Sequence, residues 1–255
     1  MEKLLQWSID AAQNPGHAGE PDPKLLSQLF GFDNPRSTMR DSLQEAVQAT
    51  DLASRTNALL EFTDLVEDMN NANEIGNLWE PLLYLVNDSE AQIRTVAFSA
   101  IAAATQNNEK SQNDLVATKA GIPRIMEHIN EADRDVAAKA LFALSCAIGH
   151  CPGAYEQFAA TDGWSILSYI VENETVGEKM DKKQQRIVSL VSALVSVQQF
   201  RPVFSELEKT QIVATLEKWY PFAGNYKERL EDLFILLKDQ KYDEPRLLPM
   251  KASSS

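Results

Sequence analysis

Apolar side chains recur every three or four positions over most of this chain and almost nowhere at every second position. Leu52, Leu59, Leu60, Phe62, Leu65, Val66 and Met69 follow the spacing that lays one helix face on a core. Leu78, Trp79, Leu82, Leu83, Leu85 and Val86 mark a next helix. Its Pro81 falls in the first turns, where a missing N–H is tolerated. Ile93 to Thr105 is apolar and Ala-rich, so two backbones can approach closely there. No run alternates like a half-buried strand, and no Asn-Gly or Asp-Gly turn joins two apolar runs. The Asp162-Gly163 pair falls between helical stretches instead. Residues 41–239 are therefore predicted to be helical almost throughout.

The two ends read differently. Met1 to Ala12 has the pattern of a short amphipathic helix, with Leu4, Leu5, Ile9 and Ala12 on one side and Trp7 beside them. Pro15, Gly16, Gly19, Pro21 and Pro23 break it. Lys24 to Phe30 is a second apolar piece, carrying Leu25, Leu26, Leu29 and Phe30, stopped by Gly31 and again by Pro35. Neither piece exceeds 12 residues, a length at which an isolated helix is marginal at best in water. Residues 1–40 are therefore expected to form a flexible arm with two apolar beads; the alternative is a helix folded back as a cap. Residues 240–255, with Pro245, Pro249 and a final triple Ser, read as a disordered tail.

The helical region repeats. Gly121 to Ile125 and Gly163 to Leu167 open similar helices 42 residues apart. Ile93 to Ile101 resembles Val136 to Leu144 at an offset of 43. A third copy, Gln185 to Leu194, follows a polar loop at 172–183, with an offset of either 47 or 50. A period near 42 made of helix pairs is the spacing of armadillo or HEAT units. Such units bury their apolar faces only by stacking, which leaves a long curved surface. The expected fold is all-α: a right-handed superhelical solenoid of armadillo/HEAT-like repeats with helical caps. An irregular helical bundle is the alternative.

Composition narrows the partners. Acids outnumber bases 37 to 24, for a net charge of −13. That argues against general nucleic-acid binding, which takes most of its affinity from a basic face, and against docking on an anionic membrane. With 44% apolar residues a sizeable core can form. The 10 Gly and 11 Pro are few for this length, in keeping with long helices. No apolar run reaches the length of a transmembrane helix. Glu2 and the lack of an apolar stretch with a small-residue cleavage site argue against a signal peptide. A cytoplasmic, monomeric protein with reduced thiols is expected.

Little catalytic chemistry is visible. Cys146 and Cys151, with His17, His128 and His150, lack metal-site spacing. The adjacent His150 and Cys151 have no third orienting group and precede Pro152, which reads as a helix end. There is no phosphate loop and no nucleophile elbow. No cofactor is expected, and an enzyme is the least favoured class. Lys179, Lys182, Lys183 and Arg186 form the strongest basic cluster, either solvated or set against an acidic partner.

The groove of an armadillo solenoid is lined by the last helix of each unit. Leu141 and Leu144 then point into the core, while Phe142 and Cys146, four apart, share the groove face. Their counterparts 43 residues earlier are Ser99 and Ala103. Peptide-binding armadillo proteins place Trp and Asn at these positions. The departure disfavours an adaptor for an extended peptide, the runner-up reading, and suits a bulky folded partner. Lys139 and Arg186 are the expected polar anchors. The candidate partner-binding set is Ser99, Ala103, Asn107, Lys139, Phe142, Cys146 and Arg186.

Met1 to Ile9 and Pro21 to Gly31 resemble the N-terminal signature of the fungal Fes-type nucleotide-exchange factors, whose animal relative is the heat-shock-protein-binding protein. Further matches are Asn70 to Asn73, Leu78 to Leu82, Thr105 to Asn108, Lys139 to Cys146 and Phe158 to Gly163. The likeness spans roughly residues 1–195. It implies an armadillo-type core that clasps one lobe of the ATPase domain of a cytosolic heat-shock protein 70 chaperone and speeds ADP release. It also implies an N-terminal arm that enters the chaperone's substrate-binding domain and displaces client. Lys3-Leu4-Leu5 and Lys24-Leu25-Leu26 have the Leu-rich, basic-flanked form such a groove takes.

Overall fold

The computed structural model describes residues 35–175, 177–197, 214 and 217–239. Every regular element among them is a helix or a helical turn. In chain order the helices are α1 (Pro35–Gln48), α2 (Leu52–Val66), α3 (Met69–Ala72), α4 (Trp79–Leu85), α5 (Ala91–Thr105), α6 (Glu109–Ala117), α7 (Gly121–Met126), α8 (Arg134–Ile148), α9 (Pro152–Ala160), α10 (Gly163–Asn173), α11 (Lys182–Ser196) and α12 (Lys227–Asp239). Helix α1 begins at Pro35, inside the span 1–40 assigned to the arm. The two apolar beads and the tail 240–255 lie outside the described residues.

Helices α2, α5, α8 and α11 are each 15 residues long. They lie side by side in that order, with α1 against α2. Shorter helices connect each to the next: α3 and α4, then α6 and α7, then α9 and α10. The unit is thus two short helices and one long one, and the long helices form a wall. Three of the four, all but α5, start at a side-chain cap. Asp51 accepts from the Ser54 N–H, Asp133 from those of Asp135 and Val136, and Asp181 closes a capping box with Gln184.

The core runs without a break from Met39 to Leu233, and Trp79, Trp219, Tyr155, Phe62, Phe98 and Phe158 are its largest buried side chains. Two details show the repeat in the backbone. Asn107 and His150 carry positive φ before α6 and α9, and Lys119 and Asp162 carry it before α7 and α10; each pair is 43 apart. Gly121 and Gly163 open α7 and α10 where a Cβ would meet Leu115 or Phe158 at 2.4 Å. The short helices therefore cross on bare backbone.

One edge of the wall carries a ladder of charge. Asp88, Glu131 and Glu174 stand 43 residues apart, each just after the second short helix of its unit. Each grips an arginine from the preceding long helix: Arg55 holds Asp88, Arg94 holds Glu131, and Arg134 holds Glu174 at 3.0 Å. Lys183, with 5% of its side chain exposed, closes the last rung on Glu174 at 2.7 Å. His128 joins the middle rung, its Nδ1 2.8 Å from Glu131 and its Nε2 2.8 Å from Asn87 Oδ1.

Candidate functional site

A long helix packed against neighbours on both sides has one face left over, and across the wall those faces form a concave groove. Its first hollow, of about 620 Å³, is lined by three matching triplets. Gln92, Thr95 and Val96 come from α5; Asp135, Ala138 and Lys139 from α8; Lys182, Gln185 and Arg186 from α11. The step from α5 to α8 is 43 residues and from α8 to α11 it is 47. The second hollow keeps the step of 47: Phe142, Ser145, Cys146 and Gly149 of α8 match Ser189, Ser192, Ala193 and Ser196 of α11. The third repeat copy is thereby placed at 47 and not 50.

The structure brings Lys139, Phe142, Cys146 and Arg186 onto this face. Arg186 spans both hollows, and its guanidinium carbon lies 3.9 Å from the centre of the Phe142 ring. Stacking holds the cation flat while its N–H edges stay available. Asn107 is exposed on the rim of the second hollow. Ser99 and Ala103 occupy the matching positions in α5 but are half-buried and line neither hollow. The Ser99 hydroxyl donates to the Thr95 carbonyl.

The basic cluster expected from the sequence splits. Lys182 joins the groove, Lys179 is exposed in the preceding loop, and Lys183 turns into the edge ladder. The reason is helical geometry: adjacent positions differ by about 100° around the axis, so neighbouring lysines at a helix start cannot share a face. Arg229 of α12, which the repeat pattern did not flag, lines the second hollow and faces the Tyr226 ring. Ser189, Ser192 and Ser196 were also missed. The offset of 47 applied to Phe142 and Gly149 would have found two of them.

Among the described residues no carboxylate lies within ion-pairing distance of Lys139, Lys182, Arg186 or Arg229. Burial, with Arg186 and Lys182 nearby, pulls the Lys139 amine below its ordinary range. Burial pushes the Cys146 thiol up to about 12. The buried Cys151 thiol is raised as well, and its Sγ sits 3.9 Å from Asn113 Oδ1. Neither cysteine is a poised nucleophile. Among the described residues no group of His, Cys, Asp and Glu is arranged to hold a metal, and no helix is long and apolar enough to cross a membrane. The groove thus presents small side chains in its walls, an arginine on an aromatic platform, and cations that meet no carboxylate among the described residues.

Two family models match the chain: the SIL1/FES1/HPBP1 C-terminal domain over residues 70–220, and nucleotide exchange factor Fes1 over residues 1–75. A protein of Eremothecium gossypii named Hsp70 nucleotide exchange factor FES1 is 34% identical across 99% of this chain and 92% of its own. A protein of the same name from Saccharomyces cerevisiae is 35% identical across 85% of this chain and 79% of its own. A solved designed armadillo repeat protein, in complex with the peptide (KR)4, shares the fold with a TM-score of 0.53 at 13% identity, covering 86% of this chain and 96% of that one. The solenoid is thus of the all-α armadillo type. By its matched segments and its relatives, the chain belongs to the SIL1/FES1/HPBP1 family.

Proposed function

We propose that this chain is a cytoplasmic co-chaperone that speeds ADP release from the ATPase domain of an Hsp70-type chaperone. The groove holds one lobe of that domain, with Lys139 and Arg186 as anchors and Phe142, Cys146, Ser99, Ala103 and Asn107 around them. The observation that carries this reading is the set of groove cations that meet no carboxylate among the described residues, in a strongly acidic chain whose relatives bear the exchange-factor name. An acidic patch on a folded partner satisfies them, and a folded lobe suits a wall of small residues.

Exchange needs no catalytic residue here. A factor that binds the opened lobe more tightly than the ADP-closed one shifts the population toward open. By linkage, ADP weakens the factor by the same ratio that the factor weakens ADP. A 100-fold effect takes about 2.7 kcal/mol of differential contact, within reach of an interface of ordinary size. The arm, shortened to residues 1–34 because α1 takes up residues 35–40, acts separately. Leu4, Leu5, Trp7, Leu25, Leu26, Leu29 and Phe30 compete with client in the chaperone's substrate-binding domain. Tethering gives them an effective concentration on the order of mM, so weak intrinsic affinity suffices.

Stopped-flow release of labelled ADP from the chaperone tests the groove. Release is expected to accelerate with added protein and to do so equally for a chain lacking residues 1–34. No acceleration at saturation overturns the reading. Client release, followed in parallel with a fluorescent peptide, is expected to slow on that truncation; an unchanged rate overturns the role given to the arm.

A further inference from the structure

The lysines of the wall sit in contrasting surroundings. Lys183 is buried and ion-paired with Glu174 at 2.7 Å. Lys110 pairs with Asp114 at 2.9 Å on the surface. Lys119 is exposed. Lys139 alone of these is half-buried inside the groove, beside Lys182 and Arg186, with no carboxylate among the described residues in ion-pairing reach. The acids nearest in the groove lie on its own helix. Asp133 spends its carboxylate capping α8, accepting from the Asp135 and Val136 N–H groups at 3.0 and 3.2 Å. Asp135 favours the charged amine, but as the weakest influence on it. From α11 come only Lys182 and Arg186, and from α5 only uncharged Gln92, Thr95 and Val96.

Two consequences follow. Only a neutral amine is a nucleophile, and burial with two neighbouring cations favours the neutral form. An amine held below its ordinary range carries a larger neutral fraction near neutral pH. The same cations draw a small anion into a hollow of about 620 Å³, ample for one. Nucleophile and anion attractor thus share one cavity, a combination that no other lysine described above has.

We propose that Lys139 is an acylation site, taking its acyl group from small acyl phosphates. Its Nζ attacks the acyl carbon, and the bond from that carbon to the bridging phosphate oxygen breaks. Phosphate leaves with the electron pair, and the proton lost by nitrogen passes to it through solvent. The product amide is neutral. Acylation therefore removes one cation from the middle of the groove, a covalent way to weaken whatever acidic surface docks there.

The full chain is incubated with acetyl phosphate at pH 8, and each lysine's acetylation is followed by peptide mass spectrometry. Lys139 is expected to react about threefold or more faster than Lys119 and Lys110, with Lys183 slowest. Its pH–rate profile is expected to have a lower midpoint than that of Lys119. Lys182→Gln combined with Arg186→Gln, checked for unchanged helicity, is expected to slow Lys139 toward the Lys119 rate, leaving only the part due to burial. A rate for Lys139 no higher than for Lys119, or no change in the double variant, overturns the site. The effect on the partner rests on the groove reading proposed above and is measured apart. Selective acetylation that leaves affinity for the ATPase domain unchanged overturns that groove reading and not the acylation.

Discussion

The groove and the edge ladder are built from the same residue types on the same long helices, yet they treat charge in opposite ways. At the edge, Arg55, Arg94 and Arg134 each meet a carboxylate of the next unit, and Lys183 meets Glu174 of its own. In the groove, Lys139, Lys182 and Arg186 meet none among the described residues. A paired charge fixes how one unit sits on the next. An unpaired one holds open an interaction that folding has not used. The acids of the ladder also take no part in the groove, so the chain can be strongly acidic overall and still present a basic hollow. With the groove read as proposed above, stability belongs to one face and recognition to the other, and each role can be broken separately.

The largest effect is expected at the last rung. Glu174→Ala leaves the Lys183 ammonium, 5% exposed, without its carboxylate. Stranding a buried charge costs about 3 kcal/mol, read as a lower midpoint in urea unfolding. Adding Lys183→Met to that variant is expected to recover most of the loss, because the stranded charge goes with it. A single variant within about 0.5 kcal/mol of the parent would show that the ladder does not hold the units together. The groove is expected to behave the other way. Arg186→Glu should lower affinity for the ATPase domain tenfold or more, about 1.4 kcal/mol, while the urea midpoint moves little. A loss of stability with binding intact would reverse the roles of the two faces.

Acidification sharpens the same contrast more gently. Asp88, Glu131, Glu174 and Asp181 are all held below the ordinary carboxylate range. Burial works against this in each, and hydrogen bonds from Arg55, Arg94, Lys183 and Arg134, with the Gln184 N–H at Asp181, outweigh it. A carboxyl depressed on folding adds stability above its unfolded value, near pH 4, and loses it as pH falls through the lower folded value. Thermal midpoints are therefore expected to drop as pH falls from about 5. Glu131→Gln should flatten that slope, and Arg186→Gln should leave it unchanged. Equal slopes in all three proteins would remove the ladder as the acid-sensitive element.

The two faces were unequally legible in the sequence. The groove could be read because helical spacing puts Phe142 beside Cys146 and the repeat carries Lys139 onto Arg186; both depend only on period. The ladder was hidden although its acids also recur every 43 residues. One is Asp and two are Glu, and their partners lie 33, 37 and 40 positions earlier, because the stretch between α2 and α5 is shorter than that between α5 and α8 and the arginine stands first in α8 but fourth in α2 and α5. Lys183 was misassigned to the basic patch because a run of lysines shows charge but not azimuth. Arg229 was missed because α12 matches no earlier unit. The solenoid itself was legible from Gly121, Gly163 and the apolar periodicity, which any stacked helical unit must display to bury its faces.

The smallest expected effect lies where the two faces meet the core. Cys146 sits in the groove wall but behaves as part of the interior, its thiol pushed up to about 12 by burial and only weakly opposed by Arg186. Alkylation needs the thiolate, so iodoacetamide at pH 8 is expected to leave Cys146 unmodified in the folded chain and to label it promptly in urea. Cys146→Ala should shift ATPase-domain affinity by less than about threefold, since a weak polar contact from a half-buried wall residue adds little to an interface anchored by charge. Rapid labelling of the native protein would mean that the groove wall opens in solution. The stacked Phe142–Arg186 platform one turn away would then be formed by the partner and not before it.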